Sequence, residues 1–230
     1  MCIRDSFRAA RYGSPFYTCI GVSGFIMMLD PFYLIVDSAD WVEKLVPLGL
    51  KLVQLRIKDM TTVELRRHIR QAKRLCRQYN CQLIVNDYWE IALEEGCDFV
   101  HLGQEDLSKA DTSLLRQHNI KLGLSTHSSE ELSRALSYKP DYIALGPIFF
   151  TKLKIMRWAP QGLEKIPLWK EKIGPTPLVA IGGLTPERGY QALQHGADSV
   201  AVVTDVLLHA SPIERVKEWL QITAPWRKTL

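Results

Sequence analysis

The chain has 230 residues, 47% hydrophobic and 23% charged, with a formal net charge of +4. This is the make-up of a soluble globular protein with a sizeable core, in one large domain or two small ones. Its basic residues are spread along helix-like segments such as ELRRHIRQAKRLCRQ, and no basic patch interleaves with aromatics, which argues against nucleic-acid binding.

The five cysteines are odd in number and none has CxxC spacing, so neither a disulfide framework nor a zinc site is expected, and a reducing cytoplasm is the simpler home. The histidines show no HxxxH or HExxH pattern. No apolar run reaches the roughly 18 residues of a membrane helix.

Residues 1–28 stand apart. FYTCIGVSGFIMML is moderately apolar but lacks an A-x-A-like cleavage site, and it runs on into DPFYLIV, the first strand-like segment. MCIRDS is what ATGTGTATAAGAGACAG plus one base would encode, which resembles a sequencing-library adapter. The expectation is a non-core, artefactual extension over 1–28, with Met27 or Met28 as the natural start. One barrel domain is expected over 29–224 and a short tail over 225–230.

From residue 32 onward, short β-type runs alternate with amphipathic stretches. The runs are FYLIV (32–36), LVQLR (52–56), QLIVN (82–86), FVHLG (99–103), KLGLS (121–125), YIALG (142–146), LVAIG (178–182) and SVAVV (199–203). Helical patterns are read over 40–48, 62–79, 88–95, 111–118, 128–137, 186–195 and 212–221. Asp87-x-x-Glu90 and Ser128 with Glu131 have capping-box spacing, and Thr185-Pro186-Glu187 is a helix start. Eight strands alternating with helices in this length predict an α/β fold, a single-domain (β/α)8 TIM barrel. A doubly wound sheet is the alternative, but no GxGxxG follows the first strand. The longest connection, 147–177, is read as functional.

Polar residues gather where these strands end, which is where such barrels do chemistry. In KLVQLRIKDM, Gln54, Arg56 and Lys58 fall at every second position and so share one strand face. Asn86 and Asp87 end the third strand, and His101, Gln104, Glu105 and Asp106 follow the fourth. Ser125, Thr126 and His127 end the fifth, Thr151, Lys152 and Lys154 follow the sixth, Gly182-Gly183 end the seventh, and Val203-Thr204 the eighth. Arg56, Lys58 and Lys154 suit phosphate, Asp87 and Asp106 suit Mg²⁺, and Gly182-Gly183 before a capped helix suit a second phosphate. Each residue also has a plainer reading. Asp87 serves equally as a helix cap, Asp106 as a turn residue, Gly182-Gly183 as a tight turn, and Arg56 and Lys58 as solvated charges. His101 and His127 read as hydrogen-bonded structural residues, Met156 and Trp158 as loop packing.

Taken together, QLRIKD, IVNDYWEIALEEGCDFVHLGQEDL, LGLSTHSSEEL, DYIALGPIFFTKLK, APQGLE and VAIGGLTPE…GADSVAVVT resemble the thiamine-phosphate synthase family over residues 32 to about 206. The resemblance implies a (β/α)8 barrel that joins a pyrimidine-methyl diphosphate to a thiazole phosphate or its carboxylate. It also implies a dissociative mechanism without a protein nucleophile. By position, Gln54, Leu55, Arg56, Ile57, Lys58, Asn86, Ser125 and Lys154 would hold the diphosphate, and Asp87 and Asp106 the Mg²⁺. Thr151, Lys152 and Leu153 would line the thiazole site, with Gly183, Val203 and Thr204 on its phosphate. Of these, Arg56, Lys58, Lys154 and Ser125 are the expected catalytic groups. Ile57 stands where the family often has Glu, Phe150 and Arg157 where proline is common, and Thr204 where serine is usual.

The implied partners are small-molecule substrates, with no nucleic acid and no membrane; a homo-oligomer is compatible. Two rivals remain in view: a thiazole tautomerase of the same superfamily, and a non-catalytic phosphate-binding barrel. Deletion of residues 1–26 is expected to leave activity and melting temperature nearly unchanged; a large loss of either in a thermal melt or rate assay would show that the segment packs on the barrel.

Overall fold

The computed structural model describes residues 17–18, 26–151 and 158–227. A two-stranded antiparallel pair, β1 (Tyr17–Thr18) and β2 (Ile26–Met27), precedes the barrel and lies outside its sheet. Eight parallel strands then close on themselves: β3 (Phe32–Val36), β4 (Leu52–Leu55), β5 (Gln82–Asn86), β6 (Phe99–Leu102), β7 (Lys121–Thr126), β8 (Tyr142–Leu145), β9 (Leu178–Ile181) and β10 (Ser199–Val202). The ring closes where Val200 of β10 pairs with Phe32 of β3. All eight expected strands are present in the expected order, and the (β/α)8 barrel is the observed fold.

Period two divides each strand between two cores. Leu34, Val53, Leu55, Val85 and Leu145 point outward into the layer beneath the helices. Tyr33, Ile35, Leu52, Ile84, Phe99, Tyr142 and Ala144 form a second, inner core along the barrel axis. The helices seal the outer layer. In α2 (Thr62–Gln78), Leu65, Ile69, Ala72 and Cys76 are buried, and their three- and four-residue spacing lays them along one face. The helix opens with a capping box: Glu64 N–H donates to Thr61 Oγ1 (3.3 Å), and Thr61 N–H donates to Glu64 Oε2 (3.2 Å). The same logic starts α8 (Pro186–Gln194), where Thr185 caps and Pro186 sits at the first position.

Other helices are α1 (Ala39–Leu45), α3 (Trp89–Glu94), α4 (Gln104–Leu107), α5 (Thr112–Gln117), α6 (Ser129–Ser137), α7 (Lys165–Ile173), α9 (Thr204–Leu207) and α10 (Pro212–Thr223). Three of these escape the periodicity reading. Helices α4 and α9 are single turns, too short to show a period. Helix α7 is hidden by Pro167, yet that proline falls in the first turn, where its missing N–H breaks no helical bond. Ile166, Trp169 and Ile173 bury its inner face, and Trp169 Nε1–H donates to Thr126 Oγ1 (3.0 Å), fixing α7 to the end of β7.

The two ends of the barrel chain meet below β3. Arg227 gives Asp30 a two-pronged ion pair, Nε–H to Oδ2 (2.7 Å) and Nη2–H to Oδ1 (2.9 Å), while Phe32 N–H also donates to Oδ1 (3.1 Å). The described chain thus stays on the barrel past residue 224, through the 3₁₀ turn Ala224–Trp226. Asp30 is buried, so removing its partner is costly. Arg227→Ala is expected to lower stability by about 2 kcal/mol in urea unfolding; an unchanged midpoint would mean the pair does not form in solution.

Candidate active site

The inward faces of the strands open at their carboxyl ends into a cavity of about 410 Å³, a volume suited to a small-molecule ligand. Its floor is the inner core, with Tyr33, Ile35, Tyr142 and Ala144; its wall carries Gln54, Arg56, Asn86, His101, Ser125 and His127. On the far side lie Thr151, Gly182, Gly183, Val203 and Thr204.

The alternation in KLVQLRIKDM separates its residues by role. Gln54 is buried inside the barrel and Arg56 is an exposed member of the cavity wall. Leu55 and Ile57 point the other way, into the layer beneath the helices, so only their backbone can meet a ligand in the cavity. Lys58 Nζ lies 2.5 Å from Asp87 Oδ2. Asn86 is buried at the end of β5 and lines the cavity; its Nδ2 has no hydrogen-bond partner among the described residues. A buried amide N–H group left unmatched is costly, and a ligand oxygen in the cavity would satisfy it.

Asp87 is not the helix cap that its spacing suggests. Helix α3 starts after Tyr88 with no side-chain cap, and Asp87 takes a left-handed backbone, φ 64°. Asp106 lies in the first turn of α4. Its carboxyl is raised above the ordinary range, first by burial, then by the charge and hydrogen bond of Asp87 beside it. Two carboxylates held this close repel unless a proton or cation lies with them. Among the described residues no cluster of three or more His, Cys, Asp or Glu forms. A pair of hard oxygen donors at neighbouring strand ends fits a divalent cation that takes its remaining ligands from phosphate and water.

Opposite, the turn between β9 and α8 needs its glycines. Gly182 and Gly183 have φ of 104° and 64°. A Cβ on Gly182 would lie 2.6 Å from Pro147 Cα, and one on Gly183 2.4 Å from the Phe150 carbonyl oxygen. The turn is bound to the β8 loop: Ile148 N–H donates to Ile181 O (2.9 Å) and Phe149 N–H to Gly182 O (3.0 Å). Arg188 Nη1–H donates to Gly183 O (2.8 Å), with its guanidinium carbon 4.7 Å from the Phe149 ring centroid. The long connection is fastened at both sides, Gln161 N–H to Pro147 O (2.7 Å) and Gly162 N–H to Ile148 O (3.0 Å). Trp158 packs on the His127 ring at 5.9 Å, and His127 Nδ1 pairs with Glu131 Oε2 at 2.8 Å. His127 is therefore hydrogen-bonded and Trp158 is loop packing, as the sequence suggests. Lys152, Leu153 and Lys154, with Met156 and Arg157, lie outside the described residues.

Sequence reasoning passed over Tyr33 and Tyr142, which reach the inner face of the cavity floor. Their signal is the period-two step from Tyr33 to Ile35 and from Tyr142 to Ala144, read inward rather than as generic strand apolarity. His101 bonds at both ring nitrogens, to Tyr142 Oη (2.7 Å) and Ser125 Oγ (2.8 Å). Burial lowers its pKa to about 4, against the upward pull of the Asp87 charge.

A closed (β/α)8 barrel whose strand-end cavity gathers a guanidinium, a buried amide and a glycine turn has the make-up of a phosphate-binding enzyme barrel. The family model described as thiamine monophosphate synthase matches residues 32–206. A thiamine-phosphate synthase of Rhizobium etli is 60% identical over 201 residues, covering 87% of this chain and 98% of its own. That of Citrobacter koseri is 42% identical over 192 residues, 84% and 88% of the two chains. A solved structure, the thiamine phosphate pyrophosphorylase from Pyrococcus furiosus, superposes with a TM-score of 0.75 at 26% identity, covering 86% of this chain and 98% of that one. The chain belongs to the thiamine monophosphate synthase family.

The buried neutral imidazole gives a pH prediction. His101 titrates near 6.5 when unfolded and at about 4 when folded, so between these values the unfolded chain binds more protons and stability falls as pH falls. His101→Gln should flatten that slope in urea titrations between these two pH values; an unaltered slope would show that His101 is not held neutral.

Proposed function

We infer that the protein is a transferase making thiamine phosphate, joining 4-amino-2-methyl-5-hydroxymethylpyrimidine diphosphate to thiazole phosphate or its carboxylate with release of pyrophosphate. The observation that carries the reading is the convergence on one cavity of Arg56, the unmatched Asn86 amide and Ser125 on one side and the Gly182-Gly183 turn on the other. It is joined by 60% identity to the Rhizobium etli thiamine-phosphate synthase along nearly all of that protein's length. The tautomerase rival needs neither a carboxylate pair nor a diphosphate grip, and a non-catalytic phosphate-binding barrel needs no second anion subsite.

In this reading the pyrimidine lies on the barrel floor, with its diphosphate between Arg56, Lys58, Asn86 and Ser125. The methylene C–O bond breaks first, its electron pair leaving with pyrophosphate; the thiazole nitrogen then supplies the pair for the new C–N bond. Negative charge grows on the leaving oxygen, and Arg56, Lys58 and Lys154 are the cations to stabilise it there. Asn86 Nδ2–H and the Ser125 hydroxyl orient the diphosphate. The thiazole phosphate takes the Gly183, Val203 and Thr204 side, where helices α8 and α9 begin, with Thr151, Lys152 and Leu153 along the thiazole. The apolar floor excludes water from the cation. No protein nucleophile is required.

Asp87 and Asp106 are the residues to hold Mg²⁺, which when bound neutralises diphosphate charge. Lys58, bonded to Asp87, would balance part of that carboxylate's charge. A cytoplasmic location is part of the proposal, supported by the buried free thiols Cys76, Cys81 and Cys97. Among the described residues no helix is long and apolar enough to cross a membrane.

The direct test is incubation with Mg²⁺ and both substrates, with thiamine phosphate and pyrophosphate as expected products; formation of neither would overturn the assignment. Asp87→Asn isolates the charge, because Asn tolerates the left-handed backbone as readily as Asp. It should fold normally and lose on the order of a hundredfold in initial rate, partly restored at high Mg²⁺. Asp106→Asn should behave alike, and the double variant should cost less than the two singles together. Unchanged rates and Mg²⁺ midpoints would sink the metal pair.

A further inference from the structure

Across the inner barrel runs one unbroken series of hydrogen bonds. Gln54 Nε2 lies 2.6 Å from Tyr33 Oη, and Tyr33 Oη lies 2.9 Å from Tyr142 Oη. Tyr142 Oη lies 2.7 Å from His101 Nδ1, and His101 Nε2 lies 2.8 Å from Ser125 Oγ. The first four residues are buried and the last is half-buried on the cavity wall. The series joins strands β4, β3, β8, β6 and β7, so no single segment of sequence contains it.

Proton counting gives the series a direction. An amide nitrogen only donates, and a phenol has one proton. Gln54 donates to Tyr33, so Tyr33 has its own proton for Tyr142. Tyr142 then has its proton for His101 Nδ1, which accepts. The imidazole proton is therefore on Nε2, where it donates to Ser125 Oγ. The Ser125 hydroxyl proton is left over, with the cavity before it. Turning the Gln54 amide about would reverse every link, put the imidazole proton on Nδ1, and present a lone pair of Ser125 to the cavity instead.

We propose that Gln54, Tyr33, Tyr142 and His101 are positioning residues forming a one-way hydrogen-bond chain that fixes the Nε2–H tautomer of His101 and aims the Ser125 hydroxyl proton at the diphosphate. The last clause rests on the functional reading above; the direction of the chain does not. The packing is built around it. Gly123 of β7 pairs in register with Tyr142, and a Cβ there would lie 2.2 Å from the Tyr142 ring. Phe99 meets that ring edge-on at 5.6 Å and the His101 ring stacks on it at 5.5 Å. Burial raises the titration of both phenols, which keeps their protons in place. A diphosphate offers only acceptors, so a serine that donates attracts it and a serine that accepts repels it.

The chain is tested without substrate by long-range proton–nitrogen correlation NMR on uniformly ¹⁵N-labelled protein at neutral pH, the His101 signals being assigned by their loss in His101→Gln. Protonation at Nε2 alone is expected. Protonation at Nδ1, or at both nitrogens, would overturn the proposal. Gln54→Met removes the donor that sets the direction, and the second tautomer should then appear; a tautomer as pure as the wild type's would show that Gln54 does not set it. The link to catalysis is read from kinetics. Tyr142→Phe should lower kcat for thiamine phosphate formation about tenfold, the loss of one well-aligned hydrogen bond, with the KM for thiazole phosphate unchanged. Ser125→Ala should cost less in the Tyr142→Phe background than alone; equal costs would overturn the coupling. A wild type that makes no thiamine phosphate would remove the diphosphate role of Ser125 and leave the tautomer result standing.

Discussion

A closed barrel leaves its inward residues nowhere to go but the axis. With parallel strands pleated at period two, every second side chain is committed to a space that solvent enters only from one end. Apolar residues fill that space without difficulty: Leu52, Ile84, Phe99 and Val179 do so. Polar ones must satisfy each other or a ligand. The site of this protein follows from how far up the axis each polar residue falls. Tyr33 and Tyr142 lie among apolar neighbours and bond to one another. Gln54, His101 and Ser125 stand nearer the mouth and continue the bonding toward it. Asn86, on the same level, keeps a donor in reserve.

The outer layer has a different task. Leu55 and Ile57 alternate with Gln54 and Arg56 and carry the barrel wall against the helices. One short strand therefore ties cohesion to recognition, and a slip of one residue in its register would exchange the two faces entirely. Neighbouring registers forbid that slip: Gln54 is paired with Ile35 on one side and Ile84 on the other. The glycine turn after β9 shows the same economy. Its left-handed backbone brings the chain against Pro147 and Phe150 of the neighbouring loop, so the two rims of the cavity are made in one contact.

Much of this could be read from the chain because its signals were local. Strand runs bounded by turn residues, and Thr185-Pro186-Glu187 at a helix start, need no knowledge of the rest of the fold. The polar strand endings were legible for the same reason, once eight strands had been counted. What was hidden depended on partners far away in sequence. Asp87 has the spacing of a cap, but its backbone turns left and its carboxylate goes to Lys58, 29 residues earlier. Tyr142 looks like any strand aromatic until Tyr33, 109 residues away, is set beside it. Pro167 reads as a helix breaker, although in a first turn it breaks nothing. Single-turn helices such as α4 have no period to detect, yet α4 carries Asp106 to the site.

The ion pair between Asp30 and Arg227 has a topological meaning beyond its strength. It turns a linear polypeptide into a near-ring, with the junction at the start of β3, at the opposite end of that strand from the cavity. A short covalent link between positions 30 and 227 would follow a path the fold already holds closed. The backbone can then be opened at another loop on the same amino-terminal face, giving a circular permutant in which every strand end that builds the site keeps its neighbours.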